Sequence, residues 1–163
     1  MKQDLYDKIV NYIVENQNKF YRLAFSYLGN QEDALDAVQE SILKALEHYG
    51  DIRNENAVKT WFYRIIVNES LRIQKERKRM APPAEVQEEI PYEEKGFLRE
   101  DDDLYSRINC LEEDAQKIIK LRFYEELSLK EIADVMDMNL NTVKAKLYRG
   151  LKTLKIAVQE VDL

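Results

Sequence analysis

The chain has 163 residues, a formal net charge of -6 and a composition that is 45% hydrophobic and 34% charged, with only four Gly and three Pro. That length suits one ordinary domain or two small ones, and the scarcity of turn residues favours packed helices over β-rich architecture. A single Cys and a single His exclude an internal disulfide framework and a Cys/His metal cluster, and the net acidity opposes indiscriminate coating of nucleic acid, so any such binding needs a local basic surface.

Residues Leu5–Leu28 form a long helical candidate with a break expected near Asn16–Asn18. Tyr6, Ile9, Val10, Ile13 and Val14 make one apolar group, and Phe20, Leu23, Ala24, Tyr27 and Leu28 the next. Gly29 suits a helix C-terminus, where positive φ is needed, and Asn30 with Asp33 supplies the cap of the following helix, about Gln31–His48. On that helix Ala34, Val38, Ile42 (or Ser41), Ala45 and Tyr49 share one side, while Asp36, Glu40 and Glu47 share another. The acidic side reads either as a solvated face or as a docking surface for a basic partner.

After a turn at Gly50–Asn56, a helix over Ala57–Lys78 buries Val58, Trp61, Phe62, Ile65 and Ile66. Its other side carries Arg64, Asn68, Arg72, Lys75 and Arg79 at helical spacing, and Arg72–Arg79 holds five cations against Glu76, a net of +4. Such a track suits phosphates, with Asn68 able to hydrogen-bond a base edge; the alternative is a solvated helix end whose cations complement the dipole. Residues 81–103 contain all three prolines and a net of -7 without amphipathic periodicity, and read as an extended acidic linker.

The helical pattern returns with Leu104, Ile108 and Leu111, around Cys110, which reads as a small buried hydrophobe. A helix follows over Glu112–Tyr124, whose Ala115, Ile118, Ile119, Leu121 and Phe123 supply most of a small core. Ser128 with Glu131 makes a capping box before Ile132, Ala133 and Met136, and Asn139 or Asn141 caps a last helix with Val143, Leu147, Leu151 and Leu154 on one stripe. That helix also carries Lys144, Lys146, Arg149, Lys152 and Lys155, with no acid between Asn141 and Lys155. Two helices joined by a tight turn, the second basic, are the parts of a helix-turn-helix, which lays its second helix in the DNA major groove; a merely solvated basic face is the plainer alternative. The turn lacks the glycine often found there. The expected fold class is all-α, in two small helical domains over residues 1–80 and 104–163, joined by the flexible acidic linker 81–103. With neither a signal-peptide pattern nor an apolar run of roughly 18 residues, the chain is expected to be cytoplasmic and not inserted in a membrane.

Taken together, these segments resemble the extracytoplasmic-function group of bacterial sigma-70-family RNA polymerase sigma factors. Phe20–Asn30 and Asp33–Lys44 (FYRLAFSYLGN and DALDAVQESILK) resemble the start of sigma region 2, Thr60–Arg72 (TWFYRIIVNESLR) the helix that reads the minus-ten element, and Ala115–Leu154 region 4, which reads the minus-thirty-five element. The resemblance implies a promoter-specificity factor for core RNA polymerase, with no active site, cofactor or metal of its own. It assigns Asp36, Gln39 and Glu40 to the β′ clamp helices, with the β flap as a further polymerase contact. It assigns Arg64, Asn68, Arg72, Lys75 and Arg79 to minus-ten DNA, the Gly50–Asn56 loop to a flipped minus-ten base, and Thr142, Lys144, Lys146, Arg149 and Lys152 to minus-thirty-five DNA. It also implies an anti-sigma factor, often membrane-bound, as a regulatory partner. The family often has glycine where this chain has Asn141, serine-arginine at Ala145-Lys146 and a second arginine at Leu151. Leu151 fits the apolar stripe, and lysine at 146 lacks the planar bidentate fork for guanine. The alternative function is a stand-alone helix-turn-helix regulator that binds an operator without joining polymerase; a third reading is an adaptor or inhibitor that uses the same helices for protein contact.

Overall fold

The computed structural model describes residues 2–52, 54–80, 104 and 106–154. Helices α1 (Lys2–Leu28), α2 (Gln31–His48) and α3 (Val58–Met80) form one subdomain, with single 3-10 turns at Tyr49–Asp51 and Glu55–Ala57 between α2 and α3. Helices α4 (Glu113–Ile119), α5 (Leu129–Met136) and α6 (Leu140–Leu154) form the second, so the architecture is all-α in two helical subdomains. The expected linker, residues 81–103, lies outside the described residues, as do residues 155–163. No helix among the described residues is long and apolar enough to cross a membrane.

Helix α1 is continuous, against the expected break at Asn16–Asn18. The Asn16 amide donates back to the Tyr12 carbonyl at 2.8 Å, one turn earlier, and the buried stripe Ile9, Ile13, Phe20, Leu23 and Tyr27 runs past it. Burial of that stripe outweighs the weak helix propensity of the asparagines. Val14, expected in the apolar group, is exposed, because it falls off the stripe. The chain leaves α1 through Gly29, at φ +77°, and Asn30 opens α2 by accepting the Asp33 amide at 2.8 Å.

The first core is centred on Phe20, whose ring meets those of Phe62 at 4.7 Å, Tyr63 at 5.2 Å and Tyr12 at 5.7 Å. Edge and tilted arrangements of this kind add about 0.5–1.5 kcal/mol per pair beyond burial. Trp61, expected in the core, is half-buried at its margin.

In the second subdomain the helix expected over Glu112–Tyr124 is α-helical only to Ile119, and Lys120–Tyr124 is a π-helical turn closed by the Glu125 amide on the Lys120 carbonyl at 3.2 Å. The wider turn rotates Phe123 off the core face, where it is exposed rather than buried. Lys120, before the insertion and with its amide still bonded to the Gln116 carbonyl, stays on the buried side. Cys110 is exposed, not buried, since it sits in the turn before α4 where Ile108 takes the inward position. The capping box at α5 is complete: Ser128 Oγ accepts the Glu131 amide at 3.0 Å and the Glu131 carboxylate accepts the Ser128 amide at 2.9 Å. In the turn between α5 and α6, Asp137 takes the left-handed conformation, φ +52°, that glycine would otherwise supply, and the Met138 amide closes onto the Ala133 carbonyl at 2.9 Å. Asn139, not Asn141, is the side chain that opens α6, accepting the Asn141 amide at 2.7 Å. Gly150 lets α6 approach α4, for a Cβ there would lie 3.0 Å from Ile119 Cδ1 and 3.3 Å from Ala115 Cβ.

Candidate nucleic-acid and protein-docking interfaces

The outer face of α2 presents Asp36 and Gln39 exposed and Glu40 half-buried beside them. Leu43, on the same helix, is 54% exposed and Leu35 is 42% exposed. Between α2 and α3, Asp36, Gln39, Glu40 and Leu43 border a groove of 640 Å³ whose other side is α3 from Arg72 to Met80. Below it the two helices are bolted by ion pairs. Glu69, nearly fully buried, receives Lys44 at 2.5 Å and Arg72 at 3.0 Å, and Asp33 receives both Arg77 nitrogens at 2.7 and 3.1 Å. Burial raises the Glu69 carboxyl, but the hydrogen bonds from Lys44 and Arg72 outweigh it and hold the group below the ordinary carboxylate range. Asp33 is likewise held low, first by Arg77 and then by Asn30. An apolar strip flanked by carboxylates on a braced helix suits a docking partner that offers both apolar and basic groups.

The basic track of α3 is less uniform than its spacing predicts. Arg72 is tied to Glu69 and, at 3.0 Å, to Glu76. Arg64 reaches the second subdomain, where Nε donates to the Val135 carbonyl at 2.8 Å and Nη2 to the Asp134 carbonyl. Lys75 pairs with Glu113 at 2.7 Å. Asn68 and Arg79 are exposed, Asn68 at the edge of a 270 Å³ cavity that it shares with Arg64, Lys117 and Asp137. The Asp51–Ile52 turn faces a second cavity of 380 Å³, whose far wall is Asp134 and Asp137.

On α6, Val143, Leu147, Leu151 and Leu154 are buried, which places Leu151 in the core as its periodicity predicts. Thr142, Arg149 and Lys152 are exposed, and Lys144 is half-buried. Lys146 leans back onto α4, 3.3 Å from Asp114 and 3.4 Å from Glu112, and these carboxylates raise its pKa. The five α6 residues thus share one helix, but Lys146 is already engaged.

Sequence reasoning missed the contacts between the two subdomains. Tyr63 donates to Glu125 at 2.7 Å, Thr60 to Asp134 at 2.6 Å, and Lys59 pairs with Glu131 at 2.9 Å. Burial pushes the Glu125 carboxyl up, although the Tyr63 hydrogen bond opposes it. Lys120 is completely buried and donates to the Ser26 carbonyl at 2.9 Å and to Asn109 Oδ1 at 2.6 Å, with its Nζ 3.5 Å above the centre of the Tyr27 ring. Burial lowers its pKa to about 6. A lysine inside the apolar run Ile118, Ile119 and Leu121 was the one visible trace of this arrangement.

Residues 12–80 match the model of sigma-70 region 2 and residues 101–154 that of sigma-70 region 4. The chain is 40% identical over 162 residues to the RNA polymerase sigma factor SigV of Bacillus subtilis, covering 99% of this chain and 98% of that protein. It is 30% identical to the ECF RNA polymerase sigma-E factor of Haemophilus influenzae, covering 93% and 88%. Among solved structures, CnrH in complex with the cytosolic domain of CnrY shares the fold with a TM-score of 0.68 at 17% identity, covering 95% of this chain and 89% of that one. The sigma factor RpoE of Bartonella quintana, in complex with the anti-sigma factor NepR, does so with a TM-score of 0.61 at 20% identity, covering 95% and 96%. The chain belongs to the extracytoplasmic-function group of sigma-70-family RNA polymerase sigma factors.

Proposed function

We propose that this chain binds core RNA polymerase and gives it promoter specificity, with residues 1–80 acting at the polymerase and the minus-ten element, 104–163 at the minus-thirty-five element, and 81–103 as the connection. The observation that carries the reading is the face of α2, where exposed Leu35 and Leu43 stand among Asp36, Gln39 and Glu40 on a helix braced by ion pairs whose carboxylates are buried. A lone operator-binding protein has no use for such a surface, whereas a sigma factor docks it on the polymerase clamp helices. Sigma factors are not catalysts, and RNA synthesis belongs to the polymerase.

Promoter contact divides between α6, which enters duplex DNA with Thr142, Lys144, Arg149 and Lys152 and recruits Lys146 from its ion pairs, and α3, which presents Asn68, Arg64, Arg72, Lys75 and Arg79 to the opened segment. A base extruded near the Asp51–Ile52 turn favours the open strand by replacing its lost stacking. The solved relatives in complex with CnrY and NepR support an anti-sigma factor as a further partner, one that occludes the polymerase- or DNA-binding surfaces of this chain until a signal releases it. Promoter-directed transcription with purified core enzyme tests the reading. Charge reversal at Asp36 and Glu40 (Asp36→Lys, Glu40→Lys) is expected to abolish core association while leaving the helical content unchanged. Undiminished association would refute the docking face, and tight operator-like binding of a dimer without core would favour the stand-alone regulator.

A further inference from the structure

The buried stripe of α6 fixes which of its residues stand farthest from the core. Val143, Leu147, Leu151 and Leu154 are buried, and Gly150 completes the stripe against α4. At about 100° per residue, the position diametrically opposite the centre of that stripe is 145. Ala145 is exposed there, with Asn141 one turn before it and Arg149 one turn after it, both exposed as well. Lys144 and Lys146 lie about a quarter-turn to either side, and both are half-buried. Lys146 is drawn further back by Glu112 and Asp114. A helix laid in the major groove turns its outermost line to the base edges and its flanks to the two phosphate backbones. The two lysines therefore sit where phosphates pass, and the line that meets the bases runs through Asn141, Ala145 and Arg149.

The side chain at the centre of this line is a single methyl group. It has neither donor nor acceptor, so it cannot read a hydrogen-bonding edge, but it packs on the C5-methyl of thymine, the apolar group that base pairs offer in the major groove. Its small size also lets the helix approach the groove floor, which brings the short Asn141 side chain within reach of a base. An asparagine amide pairs bidentately with N6 and N7 of adenine. The Asn139 side chain takes up the backbone N–H of Asn141 at 2.7 Å and leaves the Asn141 side chain exposed. We propose that Asn141 and Ala145 set the base preference of α6, Ala145 selecting a thymine through its methyl group and Asn141 an adenine on a neighbouring base pair, while Lys144 and Lys146 bind phosphate without regard to sequence. The inference rests on the reading of α6 as the helix that enters minus-thirty-five DNA.

The test presents holoenzyme with promoter duplexes randomised over the minus-thirty-five segment and reads the sequences it retains. A thymine and an adenine should be enriched at neighbouring base pairs. On the selected duplex, uracil in place of that thymine removes the methyl alone and should weaken binding by roughly three- to five-fold, the worth of one buried methyl. A deazaadenine lacking N7 at the neighbouring pair should weaken it by about ten-fold. Ala145→Gly should bind the thymine and uracil duplexes equally and keep the deazaadenine penalty. Asn141→Ala, which leaves the Asn139 cap in place, should lose the deazaadenine penalty and keep that of uracil. Each variant thus shows through the penalty it keeps that it is folded and docked. Both penalties undiminished in both variants, or no thymine enriched in the selection, would overturn the assignment. Lys144→Gln should weaken all duplexes alike, and a changed base profile there would overturn it as well. If Arg149→Ala and Lys152→Ala left binding to every duplex unchanged, the failure would be that of α6 as a DNA-binding helix rather than of its base-reading line alone.

Discussion

Separating the two subdomains would carry a proton account that can be worked from the contacts of Lys120. Facing its amino group are the Ser26 carbonyl and the Tyr27 ring from α1 and Asn109 from its own subdomain, and burial brings its pKa from 10.5 to about 6. In an open molecule the side chain regains water and its ordinary value. Between the two pKa values the open form holds one more proton than the closed form, so stability of the closed form rises with pH and acidification favours opening. The limiting slope is tenfold per pH unit. From pH 9 to pH 7 the closed-to-open ratio should fall by up to roughly 100-fold, about 2.7 kcal/mol. Lys120→Met keeps the volume of the side chain and removes the titration, while Asn109 still donates to Ser26. Energy transfer between dyes at Glu47→Cys and Thr153→Cys, in the Cys110→Ser background, reads the equilibrium. The expected result is a pH-dependent signal in the parent and a flat, more closed signal in Lys120→Met. The interface carboxyls shift as well: Glu113 is held low first by its hydrogen bond from Lys75; against the upward push of burial, hydrogen bonds from Ser128 and Lys59 hold Glu131 low; and burial raises Glu125. Both variants retain them, so a slope shared by the two proteins would refute the role given to Lys120.

Three further outcomes follow from packing, caps and ion pairs. Gly150→Leu drives a side chain into Ile119 and Ala115 and should destabilise the second subdomain by about 1–3 kcal/mol in chemical denaturation. Ser128→Ala removes one half of the capping box and should cost about 1 kcal/mol by the same measurement, with the loss seen as faster amide exchange at the start of α5. Asp33→Asn removes the carboxylate that Arg77 grips and should lower Tm by a few degrees at neutral pH. Because the folded Asp33 pKa lies below its ordinary 3.8, its contribution is present above that value and lost as pH falls through the lower one, so wild type and Asp33→Asn should converge in acid.

Much of the architecture was legible because it rests on local rules. The Gly29–Asn30 boundary, the Ser128–Glu131 box and the stripe Val143, Leu147, Leu151 and Leu154 each declare themselves within one or two turns of helix. The candidate residues of α6 could be read the same way, since exposure on a helix follows from its period. What the period could not give was the partner of each charge. Arg72 and Lys75 look alike on α3, yet one is bound to Glu69 and Glu76 on its own helix and the other to Glu113 across the molecule. The end of α4 departs from its period for a related reason: α-helical spacing places Phe123 inward, and only the π turn, which inserts one residue into the register after Lys120, exposes it.

Helix α6, proposed to enter duplex DNA, presents the same issue in a form that DNA binding can test. Lys146 faces two acids of α4, Glu112 and Asp114, and its pKa is raised by them. To reach a phosphate it must leave them, and the carboxylates it abandons then attract a cation from solution. Counterions released from the duplex are offset by that uptake, so the dependence on salt should be shallower than the four α6 cations Lys144, Lys146, Arg149 and Lys152 would give if each were unpaired. Glu112→Gln removes one of the competing charges without touching the DNA face. With holoenzyme on a minus-thirty-five duplex it should raise affinity a few-fold at low salt and steepen the slope of log K against log salt by up to about 0.9, the value for one phosphate contact. Lys146→Gln should do the reverse, and in that background Glu112→Gln should have no further effect. If Glu112→Gln gave the same gain with and without Lys146, the acid would be acting on the duplex through the general field, and Lys146 would have no place among the residues that grip it.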